Sequence, residues 1–127
     1  IDLVINRGLV IAPDTLLKET PLALVQRQLN AYNVRNIDAF LEPYADDVEL
    51  YDFPGKLVNK GKESMKKDYE KMFQQLPDLH CEVKERIIQG NVIIDKERIT
   101  GIGADAFEAT SIYVIENNKI KKVYSIQ

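Results

Sequence analysis

The chain has 127 residues, 45% of them hydrophobic and 29% charged, with a formal net charge of −3. That suffices for one domain with a real core, and the mild acidity argues against a nucleic-acid footprint. No apolar run approaches the ~20 residues of a membrane span, and a single cysteine and a single histidine exclude an internal disulfide and zinc sites of the usual kinds.

The chain begins at Ile1 rather than Met, for which a removed signal peptide, a removed tag or a longer protein would each account. Residues 1–19 read as an N-terminal extension, with short strands around Asn6-Arg7-Gly8 and an extra edge strand as the expectation. The main domain is expected over 20–127. Thr20 is a natural N-cap and Pro21 suits the first helical position. Leu22, Val25, Leu29 and Tyr32 then recur at helical spacing, with Gln28 one turn before Tyr32 on the same side. Asn36 caps a short second helix whose apolar face is Ile37, Phe40, Leu41 and Tyr44, and Pro43 tightens its end.

From Ala45 the period changes to that of a half-buried strand: Val48 and Leu50 alternate with Asp47, Glu49 and Tyr51. The same period places Asp52 on the face of Val48 and Leu50, just before Phe53-Pro54-Gly55 breaks the pairing. A carboxylate on the inner face of a strand, at its mouth, is a candidate general base. The competing reading is an Asx-turn, which these residues alone favour. Gly61 then opens a third helix to Leu76, with Met65, Tyr69, Met72, Phe73 and Leu76 as its stripe and Pro77 as its stop. Tyr69 carries into that core a hydroxyl that needs a partner.

From His80 onward every segment reads as strand. Cys81, Val83 and Ile87 alternate with His80, Glu82, Lys84 and Arg86, so His80 falls on the polar face. Gln89-Gly90-Asn91 and the stretch Gly101–Asp105 turn the chain, and Asn117-Asn118 makes a tight hairpin turn. The stretch Gly101 to Ala106 fits a G-x-G-x-x-A dinucleotide pattern in letters only, because no helix follows to cradle a phosphate.

Helices, then a strand and a helix, then an antiparallel meander make an α+β pattern. This order resembles the nuclear-transport-factor-2-like superfamily, a cone-shaped (cystatin-like) fold, and within it the SnoaL-like cyclases and the ketosteroid isomerases. The residues that carry the likeness are Val25-Gln26-Arg27, Ala45-Asp46-Asp47, Asp52, Gly61 and Tyr69. The resemblance implies three helices packed on a strongly curved, mostly antiparallel sheet, with a pocket at the open end. In the isomerases the aspartate at the position of Asp52 is the base, and a helix-one tyrosine with a late-strand aspartic acid stabilises the oxyanion. Here those donors are replaced by Gln28 and, near the acid position, Ser111. Tyr69 and Tyr44 match tyrosines that support the donor in some members. An amide and a hydroxyl still donate, but losing one strong oxyanion donor costs ~3–4 kcal/mol, and Tyr32 is the candidate substitute.

The resulting expectation is a pocket lined by Gln28, Tyr32, Asp52, Tyr69, Ser111 and Tyr113. It would hold a small, largely apolar carbonyl compound, with Asp52 partly buried and its pKa raised. The resemblance implies a cofactor-free isomerase or cyclase that abstracts a proton next to a carbonyl. A binding module without chemistry and a protein-interaction domain are the alternatives. Thr110, Ile112 and Val114 alternate with Ser111 and Tyr113, so a homodimer through the outer sheet face is also expected. No metal, nucleic acid or membrane partner is expected.

Overall fold

A computed structural model describes residues 19–127, so the expected strand of the N-terminal extension lies outside the described residues. The order of elements is α1 (Pro21–Asn33), α2 (Ile37–Leu41), β1 (Tyr44–Asp52), β2 (Lys56–Lys60), α3 (Lys62–Gln75), β3 (His80–Gln89), β4 (Val92–Thr100), β5 (Phe107–Glu116) and β6 (Lys119–Ile126). Local chemistry sets the helix starts. The Thr20 side chain accepts from the Ala23 amide at 3.1 Å, and Asn36 accepts from the Ala39 amide at 3.1 Å. In the β5–β6 hairpin Asn117 and Asn118 both take positive φ, 51° and 61°. That twist matches the twist of the strands it joins, and asparagine tolerates it.

The six strands form one sheet in the order β2-β1-β6-β5-β4-β3. All pairings are antiparallel except β1 with β6, which is parallel. The class is therefore α+β, with a mostly antiparallel curved sheet and helices on one face, as expected. Two features were not legible in the chain. One is β2, where the adjacent apolar residues Leu57 and Val58 show no alternation. The other is the parallel closure of the first strand on the last, which joins residues far apart in sequence. Arg86, expected on the polar face with His80, instead turns inward to Asp95, and Ile87, expected on the face of Cys81 and Val83, is exposed, because the register of β3 with β4 shifts between Val83 and Glu85.

The helices cover the inner face of the sheet. Leu24, Val25, Phe40, Val48, Met65, Leu79, Ile93 and Ile120 are almost wholly buried between the layers. Phe40 joins the layers, its ring 4.8 Å from that of Tyr69 and 5.4 Å from that of Tyr44. The β4–β5 connection leans on the end of α3 through Gly101. There φ is +87°, and a Cβ would lie 2.1 Å from the Asp78 carbonyl oxygen. Only glycine fits such an approach.

Candidate functional site

A cavity of about 230 Å³ opens between the helices and the inner face of the sheet. The helix side supplies Gln28 and Tyr32 from α1, Phe40 from α2 and Tyr69 from α3. The sheet side supplies Tyr44, Glu97, Ser111 and Tyr113. The structure thus brings together Gln28, Tyr32, Tyr44, Tyr69, Ser111 and Tyr113 around one space.

Asp52 is not among the lining residues, and its side chain is exposed. The register nevertheless agrees with the strand period. Asp52 pairs with Ser125 of β6, Ser125 pairs with Ser111 of β5, and both serines line the cavity. Asp52 is therefore on the inward side, but one step beyond the cover of the helices. The partial burial expected of it is absent. No hydrogen bond from the described residues reaches its carboxylate, so an Asx-turn is not formed either.

The buried carboxylate at the cavity is Glu97 of β4, only 5% exposed. Burial pushes its pKa up to about 7, and the nearby charge of Asp95 pushes the same way. Hydrogen bonding from Ser111, Cys81 and Tyr113 pulls it down. The Ser111 hydroxyl donates to Glu97 Oε1 at 3.0 Å. Sequence reasoning passed over Glu97. Its signal was a pair of acids, Asp95 and Glu97, in the same strand period as Ile93 and Ile99, on the face that the fold buries.

Asp95 is fully buried but paired. Arg86 of β3 donates to both its oxygens, at 2.6 and 2.9 Å, and to Gln26 Oε1 of α1 at 2.8 Å. Glu97 has no such partner: among the described residues lining the cavity, none is Lys, Arg or His.

The remaining polar groups divide into engaged and free donors. Gln28 Nε2 donates to the Val25 carbonyl at 3.0 Å and to the Tyr113 hydroxyl at 3.2 Å. Its Oε1 accepts from the Tyr44 hydroxyl at 2.8 Å. The Val25 carbonyl can only accept, which fixes the orientation of the amide. Both amide hydrogens are then in use, as are the hydrogens of Tyr44 and Ser111. Gln28, expected as a donor to a ligand, instead ties α1 to the sheet. The hydroxyls of Tyr32 and Tyr69 are different, since no hydrogen bond from the described residues engages them. Burial raises the pKa of both, Tyr69 to about 12, with the charge of Glu97 adding to the shift. They remain protonated at neutral pH and available as donors.

Among the described residues the cavity therefore presents one carboxylate that changes charge near neutral pH and two unengaged phenolic donors, in aromatic and aliphatic surroundings. Such a set can take up and return a proton and can hydrogen-bond a developing oxyanion.

The model of the SnoaL-like domain family matches residues 25–123. Among solved structures, a cystatin-fold protein from Novosphingobium aromaticivorans superposes with a TM-score of 0.80 at 22% identity, covering 86% of this chain and 99% of that one. An NTF2-like protein from Cytophaga hutchinsonii gives 0.72 at 20% identity, over 86% and 90% of the two chains. An LEH-like epoxide hydrolase of M. tuberculosis gives 0.71 at 12% identity, over 83% and 80%. At these identities the likeness is one of fold. No curated protein matches the chain in sequence.

Proposed function

The chain belongs to the SnoaL-like domain family, and from that premise we propose that it is a cofactor-free proton-transfer enzyme, an isomerase or cyclase acting on a small, largely apolar carbonyl compound. The observation that carries this reading is Glu97: a buried carboxylate with no cation facing it among the described residues, in the wall of an aromatic cavity that also holds two phenols that none of those residues engages. Glu97, rather than Asp52, is the base. Its carboxylate takes the hydrogen from the carbon next to the carbonyl. The C–H electrons pass into a carbon–carbon double bond, and the carbonyl oxygen becomes an oxyanion that accepts from Tyr32 and Tyr69. An isomerase then returns the proton from Glu97 to another carbon. In a cyclase the enolate carbon attacks a second carbonyl, whose C=O π electrons pass to its oxygen, and that oxygen takes the proton held by Glu97. The volume of about 230 Å³ lies below the usual pocket range of about 300–1,000 Å³, which favours a small substrate.

The test is exchange of the acidic hydrogen of a β,γ-unsaturated ketone in deuterated water, followed by NMR. The rate should rise with pH through about 7, as Glu97 loses its proton, and then level off. Asp52→Asn should leave it unchanged. Exchange lost in Asp52→Asn would return the base to Asp52, and no exchange in the wild type would leave a binding module without chemistry.

We also propose a homodimer through the outer face of the sheet. A row of paired apolar residues crosses all six strands there: Leu57, Tyr51, Tyr124, Ile112, Ile94 and Ile87. The Tyr51 and Tyr124 rings stack 4.8 Å apart, while Leu57 and Ile87 at the two ends of the row are exposed. A continuous apolar row of this kind supports a self-complementary contact. Sedimentation velocity at micromolar concentration should show a dimer, and Ile112→Lys a monomer. A wild type that sediments only as monomer would overturn this.

A further inference from the structure

The charge inventory of the cavity points to a ligand class other than a neutral carbonyl compound. We propose that this pocket also takes up a small organic ammonium ion, ion-paired with the Glu97 carboxylate and enclosed by the aromatic rings of the helix layer. The inference rests on the placement of Glu97 in the pocket and not on its acting as a base.

The carboxylate stands on the sheet wall. The helix wall carries Tyr32, Phe40 and Tyr69, joined by Tyr44 at the start of β1. Their rings are in mutual contact, with centroids 5.9 Å apart for Tyr32 and Phe40, 5.4 Å for Phe40 and Tyr44, and 4.8 Å for Phe40 and Tyr69. These pairs are tilted, at 40–53°. Phe40 and Tyr44 are almost wholly buried, so the rings that keep surface open to the cavity are those of Tyr32 and Tyr69. A cation against the face of such a ring is attracted by its negative quadrupole, most strongly where water is excluded. No Lys, Arg or His among the described lining residues competes for Glu97. The nearby guanidinium of Arg86 is already committed to Asp95 and Gln26. An alkylammonium would supply the missing counter-charge to Glu97 while its methyl groups meet the apolar walls.

Among the described groups that face it, Glu97 is the one pushed to about 7. Cys81 of β3, Tyr113 of β5, Tyr44 of β1, Tyr32 of α1 and Tyr69 of α3 are all pushed up by burial and stay neutral. Asp95 of β4 and Arg86 of β3 are locked in their ion pair, and Ser111 only donates. An ammonium ion selects the charged carboxylate, so its affinity follows the deprotonated fraction.

Tetramethylammonium chloride is a suitable probe because it carries a permanent charge and no proton. Pinacolone serves as the neutral comparison of similar bulk. Isothermal titration at constant ionic strength should show tetramethylammonium binding about tenfold tighter at pH 8 than at pH 6, from a group that titrates near 7. Pinacolone should show no such rise, and Glu97→Gln should lose the ammonium ion while keeping the ketone. The pH series on the wild type stands even where the variant fails to fold. No binding of tetramethylammonium at pH 8, or binding indifferent to pH, overturns the proposal. Ammonium binding with no ketone exchange would uphold it while removing the proton-transfer reading. Exchange without ammonium binding would do the reverse.

Discussion

Glu97→Gln should make the protein more stable above pH 7 and, in the same step, remove its proton-transfer activity. In the unfolded chain Glu97 ionises near the ordinary value of 4.5, and in the folded protein at about 7. Below the lower value it is protonated in both states, and its burial carries no charge penalty. Between the two values folding requires uptake of a proton, so stability falls as pH rises. Above about 7 the folded state holds a buried carboxylate, and the whole loss, about 3 kcal/mol, has been reached. Glutamine is neutral throughout and escapes that loss. Its amide hydrogens need acceptors where the carboxylate met donors, which offsets part of the gain. Chemical denaturation should therefore show Glu97→Gln ahead of the wild type by up to about 3 kcal/mol at pH 8 and level with it near pH 4. Turnover of a ketone substrate should fall by about 10²–10⁴, the usual contribution of general acid–base catalysis. Equal stabilities at pH 8 would mean that Glu97 is not held against its preference for charge. Gain of stability with loss of function is the expected mark of a group placed for chemistry rather than for folding.

The second large effect concerns the neighbouring acid. Asp95 is wholly buried, and its charge is balanced by the two Arg86 hydrogen bonds. Arg86→Met would leave that carboxylate without a partner beneath α1, at a cost of about 3–5 kcal/mol. The Gln26 oxygen would lose its donor as well, loosening α1 from the sheet. Arg86→Met/Asp95→Leu removes both charges and should recover most of the loss, because an ion pair replaced by apolar groups of similar volume is often near neutral. Urea denaturation of the wild type, the single variant and the double variant decides this. A double variant no better than the single one would show that packing, not the unpaired charge, dominates. The two acids of β4 thus have opposite roles from adjacent inward positions. Asp95 has a cation and is structural, whereas Glu97 has none among the described residues and is free to change charge.

Much of this molecule was written locally. The caps at Thr20 and Asn36, the stop at Pro77 and the Asn117-Asn118 turn act through a few neighbouring atoms, so their residue types suffice to place the helices and the last hairpin. The strand period put Ser111 and Tyr113 on one face of β5, and the resemblance put that face at the pocket, while in β3 the period held only as far as Val83, beyond which the register shift turned Arg86 inward and Ile87 outward. The residues matching the SnoaL-like pattern carried the fold class, and six of the seven expected site residues do line one cavity. What sequence spacing could not supply was depth. Asp52 and Glu97 both lie on the inward side of their strands, and the chain gives no measure of where the helical cover ends. That boundary comes from sheet curvature and from the parallel pairing of β1 with β6, which depend on contacts between distant segments. It leaves Asp52 in water and buries Glu97, and burial raises the pKa of a carboxylate. Which hydroxyls remain free was likewise decided in three dimensions, because Gln28 is engaged by Tyr44 and Tyr113 from other elements, while Tyr32 and Tyr69 are left facing the cavity.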